Sequence, residues 1–244
     1  RGLDPILYDP PKGLGSPDDL ARADVIFMCL PTPFDDKVGG FDLSYIKEGV
    51  EAIPGAKTIV IKSTVLPGTT EALQLEYPQH RFLFNPEFLR QASADEDFRK
   101  PERQIVGTTA ASVDEAEAVL ELLPSAPFSR VISATEAETV KYFGNCFLAL
   151  KVVFANQVFD LCAKLGIDYD TVCESAAADS RIGASHLKIA PDGYRGYGGG
   201  CFPKDMKAFI QLGDLNQVDL ALLKTCERLN AELTRIKKTA ASAR

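Results

Sequence analysis

Short apolar runs alternate with amphipathic ones through the first half of the chain. The runs Ile6–Tyr8, Val25–Leu30, Thr58–Lys62, Arg81–Phe84, Gln104–Val106 and Val131–Ser133 have the length and near-continuous apolar character of buried strands. Between several of them, apolar residues recur at helical spacing over Leu43–Ile53, Thr69–Glu76 and Val113–Leu123. The last is announced by Ser112 with Glu115 three residues on, the pattern of a capping box. Strand–helix alternation of this kind predicts an α/β domain with a parallel sheet covered on both faces.

From Thr135 the pattern changes. Val140, Phe143, Phe147, Leu150, Phe154, Val158 and Leu161 fall at helical spacing with no strand signal, and Gly166 supplies a stop. Thr135 and Glu138 fit a second capping box. A helix of about 30 residues is long for a globular domain. So many apolar positions on it predict burial on several sides, either as a core helix or as one shared between domains or subunits. Helices follow near Asp170–Ala178, Lys204–Leu212 and Leu215–Leu233, with a glycine-rich irregular stretch before Lys204. The organisation is therefore a first domain over residues 1–133 and a helical one over residues 134–244. The small, polar tail "KKTAASAR" (237–244) is expected to fray.

Composition narrows the chemistry. A net charge of −7 lacks the positive footprint of a nucleic-acid binder. No apolar run is read as long enough to span a bilayer. Six scattered cysteines without a C-x-x-C pair fit a reduced, cytoplasmic protein better than a disulfide framework. His80 and His186 have no second ligand at metal spacing, so no metal site is expected. The start at Arg1, close to an apolar run with nothing before it to pair with, reads as a chain cut at its beginning.

Several strand ends carry polar groups. Asp9 closes one run, as an ordinary turn residue or as an acceptor for ribose hydroxyls. "LPTPF" (30–34) and "KSTVLPGTT" (62–70) leave strands at the end where such sheets bind ligands. They bring Thr32, Ser63 and Thr64 there; Thr69 and Thr70 read as caps. Glu87 in "NPEFLRQ" is a general base or a helix-start acid. Lys141 and Asn145, one turn apart on the long helix, are a pair of oxyanion donors or a snorkelling lysine with an incidental amide.

"GGGCFPKD" (198–205) is the sharpest signal. Pro203 suits a first helical turn, which puts Cys201 just before a helix N-terminus, where the dipole and Lys204 favour a thiolate. Asp205 lies one turn on, placed to accept or orient a proton. Arg181, Lys188 and Arg195 make a basic stretch that would suit an anionic substrate.

Taken in order, "LPTP", "KSTV…PGT", "NPEFL", "EAETVKYFGNCFLALKVVFANQ", "DSRIG" and "YGGGCFPKD" resemble the UDP-glucose/GDP-mannose dehydrogenase family, from Ile6 to about Asn230. The cysteine segment resembles its UDP-glucose 6-dehydrogenase branch. The resemblance implies a truncated Rossmann-like parallel sheet followed by an all-helical central dimerisation domain with a long connector helix. It implies NAD as cofactor, a UDP-sugar as substrate, and a homodimer formed through residues 135–165. The activity it implies is four-electron oxidation of the C6 alcohol to the uronic acid. Cys201 would attack the C6 aldehyde, Lys141 and Asn145 would steady the oxyanions, and Asp205 would assist proton transfer. Glu87 and Thr64 would support thioester hydrolysis. Asp9, Thr32, Thr64 and Lys204 match cofactor-contacting positions. Glu87, Lys141, Asn145, Arg181, Leu187, Lys188, Tyr197 and Gly198 match substrate-contacting ones, with Arg181 reaching a neighbouring subunit. The family's glycine-rich turn and carboxyl-terminal nucleotide-binding domain have no counterpart in this sequence, and Gln91 stands where several members carry a second carboxylate. The alternatives are an inactive dimerisation module and a thiol hydrolase using His80 or His186.

Overall fold

The structure is a computed structural model that describes residues 5–35, 40–90, 93–191 and 193–240. Gln91 lies outside the described residues. The chain forms two compact units, one ending at Lys141 and the other beginning at Tyr142.

The first unit is built on a five-stranded sheet of β1 (Val25–Met28), β4 (Thr58–Ile61), β5 (Arg81–Phe84), β6 (Arg103–Thr108) and β7 (Phe128–Ser133), in that spatial order. A two-stranded hairpin of β2 (Phe34–Asp35) and β3 (Gly40–Phe41) stands apart from it. The helices are α1 (Pro17–Ala21), α2 (Ser44–Glu51), α3 (Thr69–Glu76), α4 (Ala94–Arg99) and α5 (Ala116–Leu122). On one sheet face Ile59, Ile61, Phe82 and Phe84 pack with Ile46, Val50 and Leu73 of the helices. On the other, Val60, Leu83 and Val106 meet Ala116 and Val119 of α5. Every residue of β4 is buried, which is why that strand reads as a continuous apolar run and not as an alternation.

Two expectations change. The sheet is parallel except at one seam, where β5 and β6 pair antiparallel through Leu83–Thr108 and Phe84–Gly107. The connection between them carries α4, and β6 returns along β5; β7 then runs parallel to β6 across α5. Ile6–Tyr8 is no strand: Ile6 and Leu7 are exposed, and only Tyr8 packs on the core.

The capping boxes also shift. Ser112 does not cap; its hydroxyl donates to the Phe82 carbonyl at 2.6 Å and accepts from Thr109 N–H at 3.0 Å, and a 3-10 turn separates it from α5. The box before the long helix is Ser133 with Glu136, in reciprocal bonds of 2.9 and 3.3 Å.

The long helix is α6 (Ala134–Leu165), followed by α7 (Tyr169–Ala177), α8 (Phe202–Leu215) and α9 (Ala221–Ala240). In the second unit, Cys146, Ala149 and Val153 of α6 pack with Met206 and Ile210 of α8 and Leu223, Cys226 and Leu233 of α9. A second cluster joins Ala155 and Cys162 to Tyr169 and Leu187. By length and composition α6 is apolar enough to cross a membrane, with a window of mean hydropathy 1.6, contrary to the expectation that no segment is. A buried core helix passes the same measure, and α6 buries the polar residues Glu138, Lys141 and Asn156. Phe143, Phe147, Phe154, Leu161 and Leu165 are exposed along one side of it.

Candidate active site

In the first unit the expected site residues gather at the carboxyl ends of β1, β4 and β5. Thr32 donates its hydroxyl to the Thr64 carbonyl at 2.7 Å, so the two strand-end loops are stitched together at the predicted positions. Ser63 adds a second stitch, donating to the Leu30 carbonyl at 2.7 Å and accepting from Leu30 N–H at 2.9 Å. Its role is thereby structural. Asp9 makes an ion pair of 2.7 Å with Lys12.

Glu87 and Lys141 come together. The Lys141 ammonium donates to Glu87 Oε1 at 2.7 Å and to the Glu87 carbonyl at 2.6 Å, and the lysine is 5% exposed. Two of its three donors are thus engaged and one remains. Burial pulls the Glu87 carboxyl upward, but Lys141, the Leu89 N–H and Lys62 together outweigh it, so the net direction is down.

Sequence reasoning missed the support beneath this pair. Lys62 is drawn inward at the end of β4 and donates to Asn85 Oδ1 at 2.5 Å, and burial moves its pKa down. Asn85, fully buried, donates in turn to the Ile105 carbonyl at 2.7 Å. That amide joins β5 to β6 at the antiparallel seam. The signal available was an asparagine inside an apolar strand-end run, where an unpaired amide would be costly.

The second unit holds the cysteine. Cys201 is exposed and is the N-cap residue of α8, whose first helical bond runs from Asp205 N–H to the Cys201 carbonyl at 3.0 Å. Asp205 is 1% exposed. Its Oδ2 accepts from the Asn145 amide at 2.6 Å and its Oδ1 takes the Lys204 ammonium at 2.9 Å. An amide, a carboxylate and a cation therefore stand in one hydrogen-bonded row at the helix start that presents the thiol. Cys146 and Cys226 are buried. Burial pushes Cys146 up to about 12, with Asp205 adding to it, and burial pushes Cys226 up to about 11.

Tyr197 and Gly198 lie on the loop leading to Cys201. Tyr197 exchanges two backbone hydrogen bonds with the Asn230 side chain, N–H to Oδ1 at 2.7 Å and Nδ2 to the carbonyl at 2.9 Å. A side chain thus imitates a strand pairing, which the sequence did not reveal. At Gly198 a Cβ would stand 2.5 Å from the Tyr194 hydroxyl, so any larger residue there requires the tyrosine side chain to move. The basic stretch is partly neutralised within itself. Arg195 pairs with Asp160 at 2.7 Å and holds Asn156, while Arg181 pairs with Asp179. Lys188 is exposed, and Leu187 is buried with its carbonyl accepting from the Tyr169 hydroxyl at 2.7 Å. Among the described residues no cluster of metal-ligating side chains occurs.

The donor set of the first unit suits a dinucleotide. The Asp9 carboxylate and the hydroxyls of Thr32 and Thr64 are acceptors and donors of the kind that match sugar hydroxyls, the two threonines lying at strand ends where open α/β sheets take such ligands.

Comparison with known proteins agrees with this division. Residues 16–123 match the NAD binding domain of the UDP-glucose/GDP-mannose dehydrogenase family, and residues 135–232 match the central domain of the same family. The UDP-glucose 6-dehydrogenase of Rhizobium meliloti is 33% identical over 232 residues, covering 87% of this chain and 52% of that protein. The UDP-glucose 6-dehydrogenase of Pseudomonas aeruginosa is 36% identical over 234 residues, covering 88% and 50%. A solved UDP-glucose dehydrogenase from the hyperthermophilic archaeon Pyrobaculum islandicum superposes with a TM-score of 0.78 at 36% identity, over 88% of this chain and 52% of that one. The chain spans about half the length of the curated relatives it matches. Two domain matches in the family's order, the sheet with its stitched strand-end loops, and the cysteine at the start of α8 lead to one conclusion: this chain belongs to the UDP-glucose/GDP-mannose dehydrogenase family.

Proposed function

We propose that residues 1–133 form the NAD-binding part and residues 134–244 the central helical part of a dehydrogenase that oxidises the C6 alcohol of a UDP-sugar, UDP-glucose first among them, to the uronic acid. The observation that carries the reading is the exposed Cys201 at the start of α8, above the Asn145–Asp205–Lys204 row. The names of the relatives support the substrate class and the match to an NAD binding domain supports the cofactor.

NAD, when bound, accepts the hydride of each of the two oxidations. Asp9, Thr32, Thr64 and Lys204 would hold it. The Cys201 sulfur adds to the C6 aldehyde to give a thiohemiacetal, and its thiol proton goes to the new oxygen. Loss of that proton and of the C6 hydride leaves a thioester, which water cleaves to the carboxylate and the free thiol. Asp205, with both oxygens hydrogen-bonded, stays a fixed acceptor that relays protons through water. The remaining N–H of the Asn145 amide and the third donor of Lys141 are the groups that stabilise the oxyanion. Glu87, kept ionised by Lys141, serves as base for the hydrolytic water, with Thr64 orienting it. Arg181, Leu187, Lys188, Tyr197 and Gly198 belong to the substrate side, with Arg181, which is strongly exposed, reaching a second copy of the chain.

The homodimer through residues 135–165 belongs to the same proposal, supported by the exposed apolar side of α6. A cytoplasmic location is supported by all six cysteines being free thiols. The test is NADH formation at 340 nm from UDP-glucose and NAD, with Cys201→Ser beside the native chain. Turnover abolished by the substitution supports the reading. Equal turnover in both would sink the cysteine chemistry. Absence of turnover in both leaves the second reading, a dimerisation module, which the same apolar side of α6 favours.

A further inference from the structure

The first two turns of α6 bury two ionisable side chains three residues apart, hence on one face. Lys141 is the partner of Glu87 at the end of β5. Glu138 is fully buried and serves the loop after β4. Its carboxylate accepts three hydrogen bonds, from Gly68 N–H at 2.6 Å, from Thr70 N–H at 2.8 Å and from the Thr70 hydroxyl at 2.6 Å.

Local chemistry explains why the loop needs an outside acceptor. The first N–H groups of α3 have no partner within the helix. The N-cap position is Gly68, at φ +95°, which has no side-chain oxygen to offer. Glu138 supplies the missing cap from far along the chain. The rest of the loop is stiff: the Thr69 hydroxyl donates to the Leu66 carbonyl at 2.6 Å. Ser63 and Thr64 then pass that position on to Leu30 and Thr32 through the stitches already described. A displacement of Gly68–Thr70 is therefore carried to the strand ends assigned to the cofactor.

Stability alone does not account for the residue. Burial raises the Glu138 pKa to about 7 in spite of its three donors, so the ion is held at a cost that an apolar side chain would avoid. What the carboxylate supplies is direction, because three donors from one turn converge on it. We propose that Glu138 is a positioning residue: its carboxylate fixes the Ser63–Thr70 loop and, through the Thr64–Thr32 bond, sets the strand-end backbone that receives the dinucleotide. The second half of this statement rests on the NAD reading above; the first does not.

Glu138→Gln tests it in the full chain. The substitution keeps the volume but places an NH2 group where donors already point, so at least one of the contacts is lost. The expected result by 1H–15N NMR is a tenfold or greater loss of exchange protection at Gly68 and Thr70, on the scale of one hydrogen bond. The Thr70 amide proton should lose its carboxylate-induced downfield shift, and Thr64 and Leu30 should loosen with it. Amides of β4 and β5 should keep their protection. NAD affinity by calorimetry should fall about tenfold. Unchanged protection at Gly68 and Thr70, or a loss spread equally over the sheet, would overturn the proposal. A loosened loop with NAD affinity held within twofold would overturn its cofactor half. If the native chain binds no NAD, the functional reading fails while the exchange experiment still decides the role of Glu138. Should Glu138→Gln not fold, Thr70→Val removes only the hydroxyl contact. A smaller loss confined to the same amides is then expected, and none would refute the idea.

Discussion

Phe154→Asp is the most direct perturbation of the apolar side of α6. Phe143, Phe147, Phe154, Leu161 and Leu165 follow one another at steps of four, seven, seven and four residues, which keeps them on one side of an α-helix over about 33 Å. Phe154 is 64% exposed, so about 130 Å² of its ring surface is left to be covered. At about 25 cal/mol per Å², covering it contributes roughly 3 kcal/mol per chain. In a two-fold dimer the substitution is counted twice, so the loss is roughly 6 kcal/mol before any cost of confining a carboxylate. The dimer dissociation constant should rise by about 10,000-fold or more. Sedimentation equilibrium across 1–100 μM, on the order of the affinities expected of such interfaces, reads this directly. The native chain should run as a dimer and Phe154→Asp as a monomer. Leu75→Asp, at an 83% exposed position on α3 and outside the apolar side of α6, should leave the dimer intact. A native chain that is monomeric throughout, or a variant that dimerises as well as the native chain, would show that the apolar side is not an interface between copies.

Three further substitutions follow from packing and charge. Asn230→Asp puts a carboxylate oxygen against the Tyr197 carbonyl in place of the amide donor. It should cost about 2–3 kcal/mol in urea unfolding and expose the Tyr197 amide to exchange; a midpoint within error of the native chain would refute the pairing. Gly107→Ala would set a Cβ 2.7 Å from that of Ala137 and 2.8 Å from the Ala134 Cα. Overpacking of that kind should cost about 1–3 kcal/mol in thermal unfolding, and a neutral result would mean that β6 and the start of α6 are less tightly opposed. For Glu138, the folded pKa of about 7 lies above the unfolded value, so the folded state binds the proton more tightly. Its contribution to stability is present at low pH and is lost as pH rises through 7, by roughly 3 kcal/mol at most. The stability difference between the native chain and Glu138→Gln should therefore shift between pH 3.5 and pH 8.5, about one unit or more outside the unfolded and folded values. A flat difference would refute the assignment.

How much of this was legible differs between backbone and side chains. The strands were readable because β4 and β5 are buried on both faces and so appear as unbroken apolar runs. The position of Cys201 was readable because proline, glycine and helix-start chemistry act locally. The antiparallel seam was not, since nothing in β6 itself records the direction of its neighbour. It shows only in the pairing of Leu83 with Thr108 and of Phe84 with Gly107. Ile6–Tyr8 failed as a strand for a related reason: apolar sequence supplies a tendency, and only a partner strand supplies the ladder.

The stretch "SATEAE" (133–138) shows where local rules give out. It contains two overlapping capping signatures, Ser133 with Glu136 and Thr135 with Glu138, and each satisfies the spacing equally. The expected box was the second. The helix starts at Ala134, which makes the first the true box and turns Glu138 inward beside Ala134, Ala137 and Lys141. One register decides whether the same glutamate is a solvated cap or the buried acceptor for a loop 68 residues away. The apolar neighbours of Glu138 were the available signal: a carboxylate on the buried face of a helix must find donors, and the glycine-started α3, which has no side-chain cap of its own, supplies them. The same logic extends along α6. Its beginning spends buried charge on fixing two loops, whereas its later turns leave phenylalanines bare. A helix with both properties reads as apolar throughout, although the two stretches answer to different partners.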